Sequence, residues 1–143
     1  MSRVLAIDVG GRRIGLAISD PSATLARPLV TFTVKSRAEG VERVADEIGR
    51  LGREDDGLAA IVVGLPVRLD GSPSDQTPRV AAFIDALKTR TIVPIVTADE
   101  RLTSREAESR LSLHEPDWRK RKAKLDAVAA AIILQEYLDR PNP

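Results

Sequence analysis

The stretch Val4-Leu5-Ala6-Ile7-Asp8-Val9-Gly10-Gly11 constrains the fold more than any other part of the sequence. Its β-forming residues are apolar at nearly every position, the pattern of a strand buried on both faces in the middle of a sheet covered by helices. One carboxylate, Asp8, interrupts the run. An ionised Asp in such a strand costs several kcal/mol unless something compensates it. The glycines that follow let a second backbone, a metal ion or a phosphate come close, which makes the strand end a candidate site. An Asp that simply caps a turn is the other reading.

The remaining sequence supplies the layers that such a strand needs. Arg12-Arg13 lead through a short connection into Ile14-Gly15-Leu16-Ala17-Ile18-Ser19, which predicts a hairpin. Residues 25–34 predict a third strand, with Pro28 marking it as an edge. The period then changes. Ser36 with Glu39 fits a capping box, and Val41, Val44, Ala45, Ile48 and Leu51 follow the spacing of an amphipathic helix that stops near Gly52. Leu58 to Pro66 is again apolar on both faces and predicts a central parallel strand. The polar loop from Val67 to Thr77 follows it, at the strand end where open α/β sheets place ligands.

Thr77-Pro78 predicts an N-cap and first turn for a helix striped by Val80, Phe83, Ile84 and Leu87. Ile92 to Thr97 predicts a fifth strand, and Thr103 with Glu106 a further helix through Leu111. A last helix is predicted over Leu125 to Leu138. Together these give an α/β fold in one domain, residues 1–143, with a five-stranded mixed sheet: a three-strand antiparallel meander plus parallel strands, flanked by helices.

Composition narrows the chemistry. The chain has no cysteine and a single histidine, His114, so disulfides, thiolate sites and His-rich zinc sites are excluded, while Mg2+ or Mn2+ on oxygen ligands stays open. No signal peptide or membrane span is indicated, and a cytoplasmic location is expected. The net charge is only +1, so affinity for nucleic acid must come from where the cations sit.

Two further acidic features stand out. Asp126 shares a helix face with Ala129, Ala130, Ile133 and Tyr137, so a carboxylate points where the apolar stripe points. Ala127, Ala129, Ala130 and Ala131 would let that helix approach the sheet closely. A helix-start Asp answering the macrodipole is the alternative. Asp99 and Glu100 follow the fifth strand, where extended backbone turns only one of them towards a site; a charge pair ahead of the next helix is the alternative. Carboxylates gathered from remote parts of a chain repel unless a cation neutralises them, and paired divalent ions can drive phosphodiester hydrolysis without histidine or cysteine.

The element order, with Asp in the first strand and in the last helix, resembles the ribonuclease H-like superfamily. More narrowly, Ile7-Asp8-Val9-Gly10, Val63-Gly64-Leu65-Pro66 with Asp70-Gly71-Ser72, Asp99-Glu100-Arg101-Leu102-Thr103-Ser104 and Leu125-Asp126-Ala127-Val128-Ala129-Ala130 look like the YqgF family, also called RuvX. The resemblance spans almost the whole chain. It implies a nuclease acting in 5′-end maturation of pre-16S ribosomal RNA, with a Holliday junction resolvase as the alternative activity. It also implies Asp8, Glu100 and Asp126 as catalytic acids holding Mg2+ or Mn2+, with Asp99 a possible additional acid. RuvC-type resolvases carry an acid near the fourth strand, whereas this strand ends Gly64-Leu65-Pro66 with no acid before Asp70, which leaves Asp99-Glu100 to supply the missing ligand.

The cations suit a nucleic-acid partner, either precursor rRNA or branched DNA. Arg119, Lys120, Arg121, Lys122 and Lys124 lead into the last helix, and Arg12, Arg13, Arg68 and Arg101 lie on loops near the proposed site end. A solvated basic surface is the plainer account of the 119–124 run. Trp118 either stacks on a base or fills an apolar gap, and His114 reads as a surface loop residue. Ribosome association is left open by the sequence, as is the choice between a monomer and a homodimer, paired cuts in a junction being the work expected of a dimer. A nucleotide-binding actin-like module, suggested by Asp8-Val9-Gly10-Gly11, lacks room for a second lobe; an inactive nucleic-acid-binding protein is the remaining alternative.

Overall fold

The computed structural model describes residues 2–68, 70–100 and 118–140, with position 100 and positions 118–124 described by backbone alone. Its elements are β1 (Arg3–Val9), β2 (Arg13–Ser19), β3 (Ala26–Thr33), α1 (Arg37–Gly52), β4 (Leu58–Pro66), α2 (Thr77–Lys88), β5 (Ile95–Glu100) and α3 (Trp118–Asp139). The five strands lie in the order β3-β2-β1-β4-β5. β1 pairs antiparallel with β2, and β2 with β3, while β1–β4 and β4–β5 are parallel. The expected mixed sheet is therefore present, with the two doubly apolar segments at its centre. Pro28 falls on the edge strand β3, beside the register shift between Leu16 and Ala17, where a missing N–H costs least.

Strand alternation sorts the core into two layers. Leu5, Ile7, Ile14, Leu16, Ile61 and Val63 face α1 and α2, meeting Val44, Leu51, Val80, Phe83 and Leu87 among others. Val4, Ala6, Ala17, Val62 and Ala98 face the other way, against Ala130, Ile133 and Leu134 of α3. The second layer is built of smaller side chains, so α3 can lie close to the sheet. Asp8, two residues beyond Ala6, belongs to that layer by the strand period.

Local signals hold at α1 and shift elsewhere. The Ser36 side chain accepts from the Glu39 N–H at 3.1 Å, as a capping box requires, but the Glu39 carboxylate reaches back to the Lys35 N–H at 3.3 Å, one residue further than expected. For α2 the predicted N-cap is corrected: Gln76 holds the N-cap position without a side-chain cap hydrogen bond, and Thr77 is the first helical residue. Its hydroxyl is engaged instead with the Ser74 N–H and the Pro66 carbonyl, tying α2 to the end of β4. The fifth strand is also corrected, to Ile95–Glu100. Its limits are set by β4, because ladder pairing begins at Ile61 opposite Ile95, while Ile92 stays fully exposed. The last helix begins at Trp118 rather than Leu125. Arg, Lys and Ala are good helix formers, but a run without an apolar stripe leaves no periodic signal. The helix expected from Thr103 to Leu111 lies outside the described residues.

Candidate functional site

The two parallel pairings place the ends of β1, β4 and β5 at one edge of the sheet, the position at which open α/β sheets bind ligands. Asp8 sits one residue before the end of β1 and is only 7% exposed. Directly opposite it on β2 is Gly15, at the Cα separation of about 5 Å typical of antiparallel partners. A Cβ placed on Gly15 would fall 2.1 Å from the carbonyl carbon and oxygen of Asp126. The backbone of α3 thus rests on the residue paired with Asp8. A single glycine brings the first strand and the last helix together.

The helix boundary decides between the two accounts of Asp126. Because α3 starts at Trp118, Asp126 lies in its third turn, beyond the reach of the N-terminal dipole, and the macrodipole account falls away. The face account stands, since Ala129, Ala130 and Ile133 are all buried. The Asp126 side chain is 17% exposed, and its Oδ2 lies 2.9 Å from Nε of Arg13. That contact is an ion pair without the alignment of a good hydrogen bond, and Oδ2 is shut off from solvent with no well-directed donor among the described residues. Burial pushes the Asp126 carboxyl above the usual carboxylate range, and Arg13 offsets only part of that rise.

A carboxyl whose folded pKa exceeds its unfolded value of about 3.9 destabilises the protein once both states are ionised. The cost is absent below the unfolded pKa and grows as pH rises through the folded one. In chelated protein, Asp126→Asn should therefore raise the melting temperature at pH 7, and the gain should shrink to nothing in titrations towards pH 3. A gain independent of pH would contradict a buried, ionised Asp126.

Strand parity also separates the adjacent acids. Pro66 pairs with Glu100 and Leu65 with Asp99, and Ala98 packs in the layer beneath α3. Position 100 has the parity of Ala98, Gly64 and Asp8, whereas Asp99 has that of Leu65 and is exposed. Both acids belong to β5 itself, not to a loop beyond it. Among the described residues no three acidic or histidine side chains gather as a ready metal site.

The predicted cations are distributed unevenly. Arg13 belongs to β2 instead of a loop, lies on the α3 face and is ion-paired with Asp126. Arg12 is exposed on the hairpin between the glycines and β2. Arg68 is also exposed, and lies 4.0 Å from Asp75, too loose and solvated a pair to hold it. Positions 119, 120, 121, 122 and 124 form the first two turns of α3 instead of a connecting loop. Arg101 and His114 lie outside the described residues, as does the side chain of Trp118. Gly15 carries no chemistry of its own, and its one signal in the sequence is that of a glycine inside an apolar strand, the mark of close backbone approach.

A family model described as "RuvX: Holliday junction resolvase" matches residues 2–140. The chain belongs to the RuvX family. Among RuvX relatives, a protein of Roseiflexus sp. (strain RS-1) is 41% identical over 137 residues, covering 96% of this chain and 94% of that one. Another, from Chloroflexus aurantiacus (strain ATCC 29366 / DSM 635 / J-10-fl), is 45% identical over 142 residues, covering 98% and 90%. Both bear the name "Putative pre-16S rRNA nuclease". The RuvX fold is also that of T. thermophilus RuvC in complex with a Holliday junction substrate, at TM-score 0.53 and 18% identity over 96% of this chain and 94% of that one. Fowlpox virus resolvase with Holliday junction DNA gives TM-score 0.57 at 12% identity, covering 96% and 97%. At these identities the likeness concerns the ribonuclease H-like fold alone.

Proposed function

We propose that this chain is a divalent-metal-dependent nuclease that hydrolyses phosphodiester bonds in structured RNA, with the precursor 5′ end of 16S ribosomal RNA as its substrate. The observation that carries the reading is the approach of Asp126 to the strand partner of Asp8 at the ligand-binding edge of the sheet. Two acids of one face, one buried and the other largely so, repel one another when both are ionised unless a cation lies between them. The names borne by the relatives supply the substrate.

An all-oxygen donor set suits Mg2+ or Mn2+, and the shielded Oδ2 of Asp126 is an acceptor that such an ion would satisfy. Asp8, Glu100 and Asp126 would hold it, strand parity favouring Glu100 over Asp99. When bound, the ion supplies activation of water and stabilisation of the leaving oxygen. Arg13 orients the Asp126 carboxylate and limits its protonation. In this reading the basic first turns of α3 and exposed Arg12 would follow the phosphate backbone, each contact adding salt-sensitive affinity.

The family description favours a second reading, a DNA endonuclease on four-way junctions. Backbone-tracking cations do not distinguish the two nucleic acids, so the substrate must be tested directly. A precursor rRNA fragment with an extended 5′ end and a four-way DNA junction, each with Mg2+ and with chelator, form the assay. Metal-dependent shortening of the RNA at its 5′ side is the expected result. Paired symmetric cuts in the junction with the RNA untouched would establish the second reading, and binding of both without cleavage of either would overturn the enzyme assignment.

A further inference from the structure

The β1–β2 hairpin has a second side. Towards α1 and α2, away from the face of Asp8, it borders a cavity of about 140 Å3. Val9, Ile14, Val34 and Phe83 form its floor, all of them buried. Arg37 and Arg79 stand at its mouth beside Gly10 and Gly11, and a Cβ on Gly11 would lie 3.4 Å from Nη1 of Arg79. Among the described residues neither arginine pairs with a carboxylate; Arg79 donates only to the amide oxygen of Gln76, at 3.1 Å. By contrast Arg3, Arg50 and Arg90 each pair with a glutamate. Arg37 and Arg79 also occupy the first turns of α1 and α2, where the helix dipoles add to the positive potential.

Two unneutralised guanidiniums over an apolar concavity match an anion with an apolar, planar body. A phosphate alone would leave the floor without a partner, and an aliphatic ligand would leave the cations without one. A nucleotide satisfies both. A cavity of about 150 Å3 accommodates a benzene-sized ring, so the space here matches a single-ring base better than a purine. We propose that the cavity receives one unpaired pyrimidine nucleotide of the substrate strand, its base on the apolar floor and its phosphate between Arg37 and Arg79. The proposal rests on the nucleic-acid reading above and extends it. The hairpin tip, Gly10-Gly11-Arg12, separates this cavity from the acids, so a strand crossing the tip would meet both. A fully paired end could not supply the unstacked base, which would make an unpaired flank the feature selected.

The test is binding in chelator, so that the acids and any metal are not read. The probes are a hairpin RNA with a short uridine tail, the same RNA with an adenosine tail, one with an abasic tail, and a blunt hairpin. Base stacking contributes about 1.4 kcal/mol or more, so the uridine tail should bind roughly tenfold tighter than the blunt or abasic forms. Arg37→Ala and Arg79→Ala, both at exposed helix positions, should each flatten the salt dependence by about 0.7 for the uridine tail and leave the blunt hairpin unchanged. Gly11→Leu, which grows a side chain against Arg79 at the mouth, should remove the uridine advantage. The proposal is overturned if the advantage survives Gly11→Leu, if the arginine variants weaken blunt and tailed RNA equally, or if the adenosine tail binds as well as the uridine tail. Arginine effects without any metal-dependent cleavage would refute only the nuclease reading; cleavage without arginine effects would refute only this pocket.

Discussion

Asp8→Asn is expected to abolish metal-dependent cleavage, by well over 100-fold, while the chelated variant stays folded and binds RNA within a few fold. The asymmetry comes from where Asp8 lies. The change is nearly isosteric in a site 7% exposed, so it opens no cavity, and the amide keeps one oxygen as an acceptor while losing the charge that a metal ion needs. Changes to groups that merely orient a metal ligand cost about 10- to 100-fold, so loss of the ligand itself should exceed that range. The adjacent acids provide an internal control. Glu100→Gln should resemble Asp8→Asn, and exposed Asp99→Asn should cut nearly as well as wild type, because only position 100 has the parity of Asp8 across the β1–β4–β5 ladders. Single-turnover cleavage with saturating Mg2+, beside a thermal melt in chelator, reads both halves. Undiminished cleavage by Asp8→Asn would remove the acid from the site, and equal losses at 99 and 100 would remove the parity argument.

The parts of this architecture legible in the sequence are those where burial leaves a period. Val4–Val9 and Leu58–Pro66 declare themselves as central strands because both faces are covered, and Asp8 is conspicuous only against that background. Asp126 stands out for the same reason, as an acid on the stripe of Ala129, Ala130 and Ile133. Boundaries governed by a partner were not legible. β5 begins at Ile95 because Ile61 stands opposite it, and no property of Ile92 or Val93 predicts that pairing. The first two turns of α3 carry charge without stripe, so propensity alone marks them, and the dipole account of Asp126 survived in the sequence for that reason. The partnership of Arg13 with Asp126 was equally hidden, since a salt bridge across 113 residues leaves no local spacing. The parity that sets position 100 apart from Asp99 depends on the register, which sequence does not contain.

Gly15→Ala tests whether the sheet–helix contact itself sets the site. The added Cβ would lie 2.1 Å from the Asp126 carbonyl group and 2.5 Å from the Ala127 nitrogen, all backbone atoms that no rotamer change can move. Reaching ordinary contact requires α3 to shift by roughly 1 Å, against a layer of buried alanines and Ile133 that is already close-packed. Overpacking of this kind costs about 1–3 kcal/mol, which for a chain of this size lowers the melting temperature by about 3–10 °C. The displacement carries Asp126 away from Asp8, and a misplacement of about 1 Å can cost about 100-fold in rate. Both losses should therefore appear together, although the variant alters no group with chemistry of its own. Gly49→Ala is the matched control. Its Cβ would meet only the flexible end of Arg53, at 3.4 Å, and an alanine inside α1 should stabilise by up to about 1 kcal/mol without touching cleavage. If Gly15→Ala melts lower but cleaves at the wild-type rate, the separation of Asp8 and Asp126 does not limit the reaction, and the close approach of α3 serves packing alone.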